Sequence, residues 1–351
     1  MNQEYTQRLL KIETELKRWL PEKTGSNPAW NEQVFTGIAK NAGAESISFL
    51  TEPLIEILYR GGKRWRPLFM TLVCEALGGG DAAVPLSPVV EFSHNASLIH
   101  DDIEDESDER RGKPAVHKMF GVDTAINSGS FFYFLAACCM EAYVQNSLRR
   151  SEQIYKYWAE CMRKLHLGQA MDINWHRNIP VIPKIEEYLL MCRLKTGSLA
   201  RLAAELGAYT ANAPQETARI LGEAADTMGV GFQILDDVKN LTTGNPGKKR
   251  GDDIVEGKKS LPVLLYLNKF PQNKEKIFYC FHVAKNEGSR SLETEELINI
   301  LNESGVIAEA EEKGKSLLKE TQDVFNMHDF AGFPVREGGA ALLNGFLELI
   351  T

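Results

Sequence analysis

Residues 85–105 read PLSPVVEFSHNASLIHDDIED, a stretch that begins as an apolar helix and ends in acidic residues. An acidic run more often forms a solvated face, but this run directly continues a helix that we expect to be buried. Asp101 and Asp105 are four residues apart, so both carboxylates project from one helix face. Like charges at this spacing destabilise a helix, and a divalent cation between them would remove the repulsion. Oxygen-only ligands favour Mg²⁺.

A second apolar helix ends in the same way. Residues 229–240 read GVGFQILDDVKN, in which Asp236 and Asn240 repeat the four-residue spacing and Gln233 lies one turn earlier on the same stripe. One such element is weak evidence for a metal site. Two of them, about 135 residues apart, lead us to expect facing helices that clamp metal ions between them.

Basic residues stand beside glycines or at predicted helix ends. Residues 61–67 read GGKRWRP, a glycine-led basic turn that enters a helix and provides an anion site. Further cations of this kind are Arg110, Arg111, Lys195, Lys248 and Lys258. Any one of them is more often a surface charge, but together with two acidic elements they indicate a substrate with several phosphates. The absence of GxxxxGK[ST], of a kinase motif set and of GxGxxG after a strand disfavours nucleotide binding.

The composition is that of a globular protein. The 351 residues are 43% hydrophobic and 25% charged, and the net charge of −8 disfavours a nucleic-acid binder. None of the six cysteines forms a CxxC pair, so we expect buried thiols in a reducing compartment rather than a metal site. The N-terminus lacks the features of a signal peptide. The longest apolar run, residues 131–140, is too short to span a membrane, so we predict a cytoplasmic protein without a transmembrane segment.

Almost every segment is typical of a helix, and no hairpin signal such as Asn-Gly is present. The candidate helices are residues 4–19, 30–42, 45–60, 66–77, 87–106, 123–147, 151–176, 184–193, 197–211, 215–241, 260–269, 274–285, 293–303, 306–326 and 336–350. No break between them is long enough for an interdomain linker. The sequence therefore predicts one all-α domain over residues 1–351, with an N-terminal helix and loop (1–29), a motif-bearing core (61–262) and C-terminal helices (263–351).

These motifs together resemble the trans-isoprenyl diphosphate synthases of the polyprenyl synthetase family. GGKRWRP, HNASLIHDDIEDESDERRGKP, RLKTGSL, GFQILDDVKN and GKKRGDDIVEGKKSLP occur in family order across residues 61–262. The resemblance implies a single large isoprenoid-synthase helical bundle with a central active-site cavity. The stretch HNASLIHDDIEDESDERRG with INSGSFFYF is similar to the branch that makes geranylgeranyl diphosphate in fungi and animals. The long-chain bacterial branch usually has Gly-Asp where this chain has Ser128-Gly129.

The resemblance also implies the chemistry. An allylic diphosphate (dimethylallyl, geranyl or farnesyl) ionises, the alkene of isopentenyl diphosphate attacks the cation, and a proton is lost. Metal ions and fixed cations aimed at the leaving group are the appropriate catalyst. By this carry-over, three Mg²⁺ ions join the allylic diphosphate to Asp101, Asp105 and Asp236, with Asp102 and Asp237 nearby.

The remaining site residues follow from the same resemblance. The allylic diphosphate is held by Arg110, Lys195 and Lys258, with Lys248 at the entrance. The isopentenyl diphosphate site matches Gly62, Lys63, Arg66, His94 and Arg111. Thr196 and Gln233 match residues that stabilise the cation, and Gln169 and Asp172 match a pair beside the metals. The second motif departs from Asp-Asp-x-x-Asp at Asn240, which leaves one anionic oxygen fewer but does not predict an inactive enzyme.

The resemblance extends to product length and assembly. Small residues at Ala96 and Ser97 would let a growing chain pass, and Tyr133, Phe134 and His166 match the floor of a pocket for a twenty-carbon product. Each of these three is equally typical of an ordinary core aromatic. The family forms homodimers, for which residues 131–140 offer an apolar surface. A farnesyl or longer-chain synthase, a non-catalytic partner subunit and a terpene cyclase remain as alternatives. The sequence leaves open the preferred primer, the downstream pathway and the role of the N-terminal segment.

Overall fold

A computed structural model describes residues 3–36, 41–145, 152–244 and 249–350. Over these residues the chain is almost entirely helical, as the sequence predicts. The α-helices are α1 (Gln3–Trp19), α2 (Pro28–Phe35), α3 (Ala44–Tyr59), α4 (Trp65–Ala76), α5 (Ser87–Glu104), α6 (Val116–Phe120), α7 (Val122–Gln145), α8 (Glu152–Arg177), α9 (Ile185–Cys192), α10 (Ser198–Thr210), α11 (Gln215–Thr242), α12 (Asp252–Val255), α13 (Leu261–Lys269), α14 (Lys274–Glu287), α15 (Leu292–Glu303), α16 (Val306–Phe325) and α17 (Gly339–Ile350).

Local sequence explains where several helices begin. Asn27 caps α2 by accepting a hydrogen bond from the backbone N–H of Trp30, with a proline in the first turn. Ser291 caps α15 in the same way, through the N–H of Thr294. None of the helices in the described ranges has the length and apolarity that crossing a bilayer would require.

Two very short antiparallel hairpins interrupt the helices, and the sequence did not predict them. Their turns are Arg111-Gly112 and Ala331-Gly332, and all four residues have positive φ, between 55° and 77°. Such turns usually show Asn-Gly or Asp-Gly, so an Arg or Ala at the first position hides the signal. The paired strands are β1 (Glu109–Arg110) with β2 (Lys113–Pro114), and β3 (Asp329–Phe330) with β4 (Phe333–Pro334).

The chain forms two compact units, and the first comprises Met1–Trp158, Leu202–Ala218 and Asp329–Leu343. Its central helix is α5, which packs against α7, α4 and α1. The rings of Phe92 on α5 and Phe132 on α7 lie 4.7 Å apart between centroids. Because α5 is buried on most sides, its packing fixes the position of the acidic residues at its end.

The second unit comprises Ala159–Arg201, Arg219–His328 and Asn344–Thr351. Its core includes Trp175, Tyr188, Ile234 and Phe281, and α13 packs against α9 and α16. After α9 the chain makes a π-helical turn, Arg193–Gly197, before α10, where the sequence predicts a gap between two helices. A single domain over residues 1–351 stays a prediction.

Candidate active site

The acidic end of α5 holds a buried ion pair. Asp102 is 0% exposed, and its Oδ1 accepts a hydrogen bond of 2.8 Å from Nε of Arg110 and a shorter one from Nη2. Arg110 Nη2 also lies 3.7 Å from Oδ2 of Asp101. Burial raises the pKa of Asp102, and the positive charge of Arg110 offsets part of that rise. Burial alone would lower the pKa of Arg110, but Asp102 and its hydrogen bond outweigh burial and raise it.

The donor set at this end of α5 suits a metal that shares its coordination with a substrate. Oδ2 of Asp102 is buried and accepts no hydrogen bond among the described residues. Asp105 caps the helix one turn after Asp101, with its N–H 2.8 Å from the Asp101 carbonyl. Within the described ranges, no three His, Cys, Asp or Glu side chains already surround an ion site. Mg²⁺ usually takes one or two carboxylates and completes its shell with water and phosphate oxygens, so these residues fit an ion that binds together with a diphosphate.

The basic turn before α4 has an unusual backbone. Gly61, Gly62 and Arg64 have φ values of +81°, +145° and +47°. Glycine adopts such values freely, whereas a left-handed conformation costs an arginine about 1–2 kcal/mol. We call residues 61–64 the basic loop.

Arg66 and His94 meet next to the basic loop, as the predicted isopentenyl diphosphate site requires. Nη1 of Arg66 lies 3.2 Å from Nε2 of His94. Burial, reinforced by the charge of Arg66, lowers the pKa of His94 well below its usual range, so the neutral ring accepts this hydrogen bond. The side chain of Lys63 is exposed.

Arg110 and Arg111, adjacent residues of the first hairpin, contact different partners. Arg110 contacts the acidic end of α5, whereas Nη1 of Arg111 donates to the carbonyls of Ile57 (3.1 Å) and Gly61 and to Oδ1 of Asn95 (3.3 Å). A Cβ on Gly62 would lie 3.1 Å from Nη2 of Arg111. Arg111 therefore contacts the basic loop, and the predicted residues of the isopentenyl diphosphate site lie in one region of the first unit.

In the second unit the acidic pair on α11 has a different environment. Asp236 is half-buried, whereas Asp237 is buried and accepts hydrogen bonds from Tyr188 Oη (2.7 Å, to Oδ2) and Gln233 Nε2 (2.9 Å, to Oδ1). Burial, followed by the charge of Asp253, raises the pKa of Asp237 to about 7. Asp237 is thus held by neutral donors, and its role as a metal ligand stays a prediction.

Asn240, the departure from the family pattern, is fully buried. Its Oδ1 accepts a hydrogen bond of 3.3 Å from the N–H of Asp253, and its carbonyl accepts one of 3.0 Å from Gly251. Asn240 therefore anchors the turn that begins α12.

The π-helical turn Arg193–Gly197 presents two predicted catalytic side chains. Nζ of Lys195 donates to Oδ2 of Asp172 at 2.7 Å, and Oγ1 of Thr196 donates to Oε1 of Gln233 at 2.8 Å. Two glycines make room for this turn. A Cβ on Gly168 would lie 2.5 Å from the backbone nitrogen of Lys195, and one on Gly229 would lie 2.5 Å from the Cα of Gly197.

Two further predicted residues belong to the described part of the second unit. Lys258 forms an ion pair with Glu256 and has its Nζ 4.0 Å from Oδ1 of Asp253. Gln169 is half-buried on α8. Lys248 lies outside the described residues.

The predicted chain-length residues have unequal environments. Ala96 is fully buried, and Ser97 Oγ donates to the His94 carbonyl at 2.8 Å. Tyr133 stacks on the ring of His100 with 5.8 Å between centroids. Phe134 is 65% exposed and His166 is also exposed. An exposed ring closes no cavity within one chain, so their role as a pocket floor stays a prediction.

Sequence reasoning missed four residues that hold the site together: Arg64, Glu91, Asn95 and Tyr188. Glu91 gave a usable signal, because a single acid inside the apolar stretch PLSPVVEFSHN needs a buried partner. Tyr188 gave none, since a tyrosine in an apolar helix most often serves the core.

Comparison with known proteins identifies the family of this chain. The model of the polyprenyl synthetase family matches residues 47–301, a range that includes both acidic pairs. The chain is 36% identical over 252 residues to a short chain isoprenyl diphosphate synthase of Methanocaldococcus jannaschii, covering 71% of this chain and 75% of the relative. It is 33% identical over 281 residues to a geranylfarnesyl diphosphate synthase of Aeropyrum pernix, covering 78% and 85%. The crystal structure of a geranylgeranyl pyrophosphate synthetase from Pyrococcus horikoshii matches 99% of this chain and 96% of its own with a TM-score of 0.80 at 25% identity. The chain therefore belongs to the polyprenyl synthetase family and is an isoprenyl diphosphate synthase.

Proposed function

We propose that this synthase condenses isopentenyl diphosphate with an allylic diphosphate in the presence of Mg²⁺ and makes geranylgeranyl diphosphate as its main product. The allylic C–O bond breaks with both electrons on the leaving pyrophosphate. The alkene of isopentenyl diphosphate supplies the electron pair of the new C–C bond, and loss of a proton restores a double bond. The Asp102–Arg110 pair beside Asp101 is the observation that carries the proposal, because it holds a cation in place next to a proposed metal ligand.

Binding of the allylic diphosphate is assigned to Arg110, Lys195 and Lys258. Three Mg²⁺ ions held by Asp101, Asp105 and Asp236 would supply positive charge that stabilises the leaving group. Arg110 is fixed by Asp102 and Lys195 by Asp172, so neither cation must be reorganised when charge develops.

Stabilisation of the allylic cation is assigned to Thr196 and Gln233. The Thr196 hydroxyl donates a hydrogen bond to Oε1 of Gln233, and Nε2 of Gln233 donates one to Asp237, so the chain of donors ends at the Asp237 carboxyl group. Hydrogen bonds in such a chain polarise one another. The oxygen of Thr196 keeps its lone pairs for a carbocation.

Product length is assigned to the residues along α5 and α7. Ala96 and Ser97 are small, and one helical turn rises about 5.4 Å, close to the length of one isoprene unit. Ala96→Phe should therefore shorten the main product to fifteen carbons, and Tyr133→Ala should lengthen it. Product chain length by chromatography and mass spectrometry checks both. An unchanged product in Ala96→Phe would contradict this path for the growing chain.

The assembly proposed is a homodimer through the exposed face of α7. This face carries Val122, Ile126 and Phe134, which are 49%, 46% and 65% exposed, and isolated chains seldom leave such a stripe uncovered. A second chain there would also cover Phe134. Sedimentation of the purified protein tests the assembly, and a monomer at micromolar concentration would reject it.

The deciding experiment incubates purified protein with Mg²⁺, isopentenyl diphosphate and, separately, dimethylallyl, geranyl or farnesyl diphosphate. We expect geranylgeranyl diphosphate from each primer, with no product when EDTA replaces Mg²⁺. A product of fifteen, twenty-five or more carbons would correct the product assignment. The absence of any condensation would reject the proposed function.

A further inference from the structure

A buried charge cluster includes the last residue of the basic loop, and the proposed reaction gives the central residues of this cluster no role. Its centre is Arg64, which is 4% exposed. The guanidinium donates to Oε1 of Glu13 at 2.7 Å and to Oε1 of Glu91 at 2.8 Å. It also donates to the carbonyls of Leu58 at 2.6 Å and Gly61 at 3.3 Å. One side chain thus connects α1, α5, the end of α3 and the basic loop.

The cluster continues from Glu91 to Arg111. Glu91 is 2% exposed, and its Oε1 also accepts a hydrogen bond of 2.9 Å from Asn95 Nδ2. Oδ1 of Asn95 accepts one of 3.3 Å from Arg111, which in turn donates to the Gly61 carbonyl. The guanidinium groups of Arg64 and Arg111 therefore both donate to the Gly61 carbonyl. The buried carboxylate of Glu91 contacts Arg64 directly and is linked to Arg111 through Asn95.

The cost of breaking the ion pairs in this cluster restrains the backbone conformation of the basic loop. Arg64 adopts a left-handed backbone, which persists only where the surroundings hold it. A buried ion pair costs desolvation, and removing one partner leaves an uncompensated buried charge. Burial alone would lower the pKa of Arg64, but Glu91 and Glu13 outweigh burial and raise it. The ion pairs and the loop conformation therefore depend on one another.

We propose that Glu91 and Arg64, with Glu13 from the N-terminal helix, are positioning residues that set the basic loop for isopentenyl diphosphate. This inference rests on the proposed function, which assigns the neighbouring Lys63 and Arg66 to that substrate. It gives α1 a specific task, because Glu13 lies on that helix. None of the three residues is among the substrate contacts of the proposed function, so we infer that they act through the loop.

The test measures both substrates separately. Glu91→Gln keeps the shape of the side chain and removes its charge. We expect the KM for isopentenyl diphosphate to rise about 10-fold, the size of one lost charge-assisted hydrogen bond, with the allylic KM within about 2-fold of wild type. Arg64→Met should show the same split. Arg64→Lys should recover only part of it, since an ammonium lacks the planar fork that reaches four acceptors.

The matched control is Arg8→Met. Arg8 lies on the same helix as Glu13 and pairs with Glu75 at 2.8 Å, away from the basic loop. Its loss should lower the melting temperature without changing either KM. A split between the substrates in Glu91→Gln but not in Arg8→Met separates positioning from general weakening of α1.

Hydrogen exchange gives a readout that needs no catalysis. The N–H of Gly61 donates to the Leu58 carbonyl at 3.2 Å, and the N–H of Leu68 donates to the Arg64 carbonyl at 3.1 Å. Exchange in a peptide covering residues 58–68 should be faster in Glu91→Gln and Arg64→Met, and unchanged in Arg8→Met. Unchanged exchange in both loop variants, or equal rises in both KM values, would overturn the inference. If wild-type protein condenses no isoprenyl diphosphate, the proposed function fails, and exchange still decides whether the cluster holds the loop.

Discussion

The dipeptide Asp-Asp occurs near the C-terminal ends of both α5 and α11, but its surroundings differ between the two helices. In both, the first aspartate is partly exposed and the second is buried. Asp102 is paired with the guanidinium of Arg110, whereas Asp237 accepts hydrogen bonds from the neutral groups of Tyr188 and Gln233. One end is an ionic cluster and the other is a chain of neutral dipoles.

This difference matches two tasks that the reaction needs. A leaving diphosphate requires fixed positive charge, which we propose that Arg110 supplies at the end of α5. A carbocation requires electron-rich oxygens, which we propose that Thr196 supplies from the π-helical turn, where its hydroxyl donates to Gln233 on α11. Under the proposed function, the two Asp-Asp pairs support opposite charges because their buried aspartates have different partners.

The largest effect is expected from the first aspartate of each pair. Asp101→Ala and Asp236→Ala each remove a proposed metal ligand, and turnover should fall roughly 100- to 1,000-fold or more, the scale of losing one preorganised charge-stabilising group. Asp105→Ala should behave like Asp101→Ala. Steady-state kinetics with saturating Mg²⁺ and circular dichroism as the fold control provide the measurement. Near-normal turnover in Asp101→Ala or Asp105→Ala would remove the α5 end from the metal site.

The next effect separates the two substrates. Lys63→Ala and Arg66→Ala should raise the KM for isopentenyl diphosphate about 10- to 100-fold, because each loses a charge-assisted contact of about 1.5–3 kcal/mol. Lys258→Ala should instead raise the allylic KM. Kinetics with each substrate varied in turn decide the assignment, and a larger allylic effect in Lys63→Ala would mean that the two sites are exchanged.

A smaller effect should distinguish the buried aspartates by stability. Asp102→Asn removes the buried anion that pairs with the half-buried Arg110 and leaves the more distant Asp101 at 3.7 Å, so it should cost about 3 kcal/mol of unfolding free energy. Asp237→Asn keeps neutral partners and should cost about 1 kcal/mol. Chemical denaturation in EDTA at pH 7 measures both. Equal losses would mean that the two environments do not differ as described.

The pH dependence of Asp237→Asn follows from the raised pKa. The pKa of Asp237 is about 7 in the folded chain and near 3.8 in an unfolded one. A raised carboxyl pKa contributes stability that is fully present below pH 3.8 and is lost as pH rises through 7. The asparagine does not titrate, so the variant does not lose this stability as pH rises. The unfolding free energy of Asp237→Asn minus that of wild type should therefore increase between pH 5 and pH 8 in metal-free buffer. A pH-independent difference would contradict the shift.

The smallest effect is expected at Asn240, the counterpart of Asp105. Asn240→Ala loses one hydrogen bond to the turn before α12 and should cost about 1 kcal/mol of stability, with turnover within about 10-fold of wild type. Melting temperature and kinetics in a Mg²⁺ titration test this. A loss as large as that of Asp105→Ala would show that Asn240 orders Asp236 or binds metal.

The residues of the motifs were largely predictable, because the residues of one motif lie within one or two helical turns of each other in the sequence. Asp101 and Asp105 follow from one helical turn, and the helix ends were predicted within a few residues for α1, α3, α5 and α11. Arg64 was not predictable as a buried residue, since its neighbours Lys63 and Arg66 have the same charge. The partners of Asp102 and Asp237 were not predictable either, because Arg110 reaches its aspartate through a two-residue hairpin and Tyr188 lies 49 residues from Asp237.

The π-helical turn at Arg193–Gly197 has a consequence for how this enzyme tolerates length changes. A π turn contains one residue more than the α-helical turn it replaces. Deleting one residue there would restore a regular helix and rotate everything on one side by about 100° relative to the other. Lys195 and Thr196 would then turn away from Asp172 and Gln233 while the helix itself became more regular. The hydrogen bonds of Lys195 and Thr196 thus depend on a single additional residue, and under the proposed function a design that made this helix regular would weaken the enzyme.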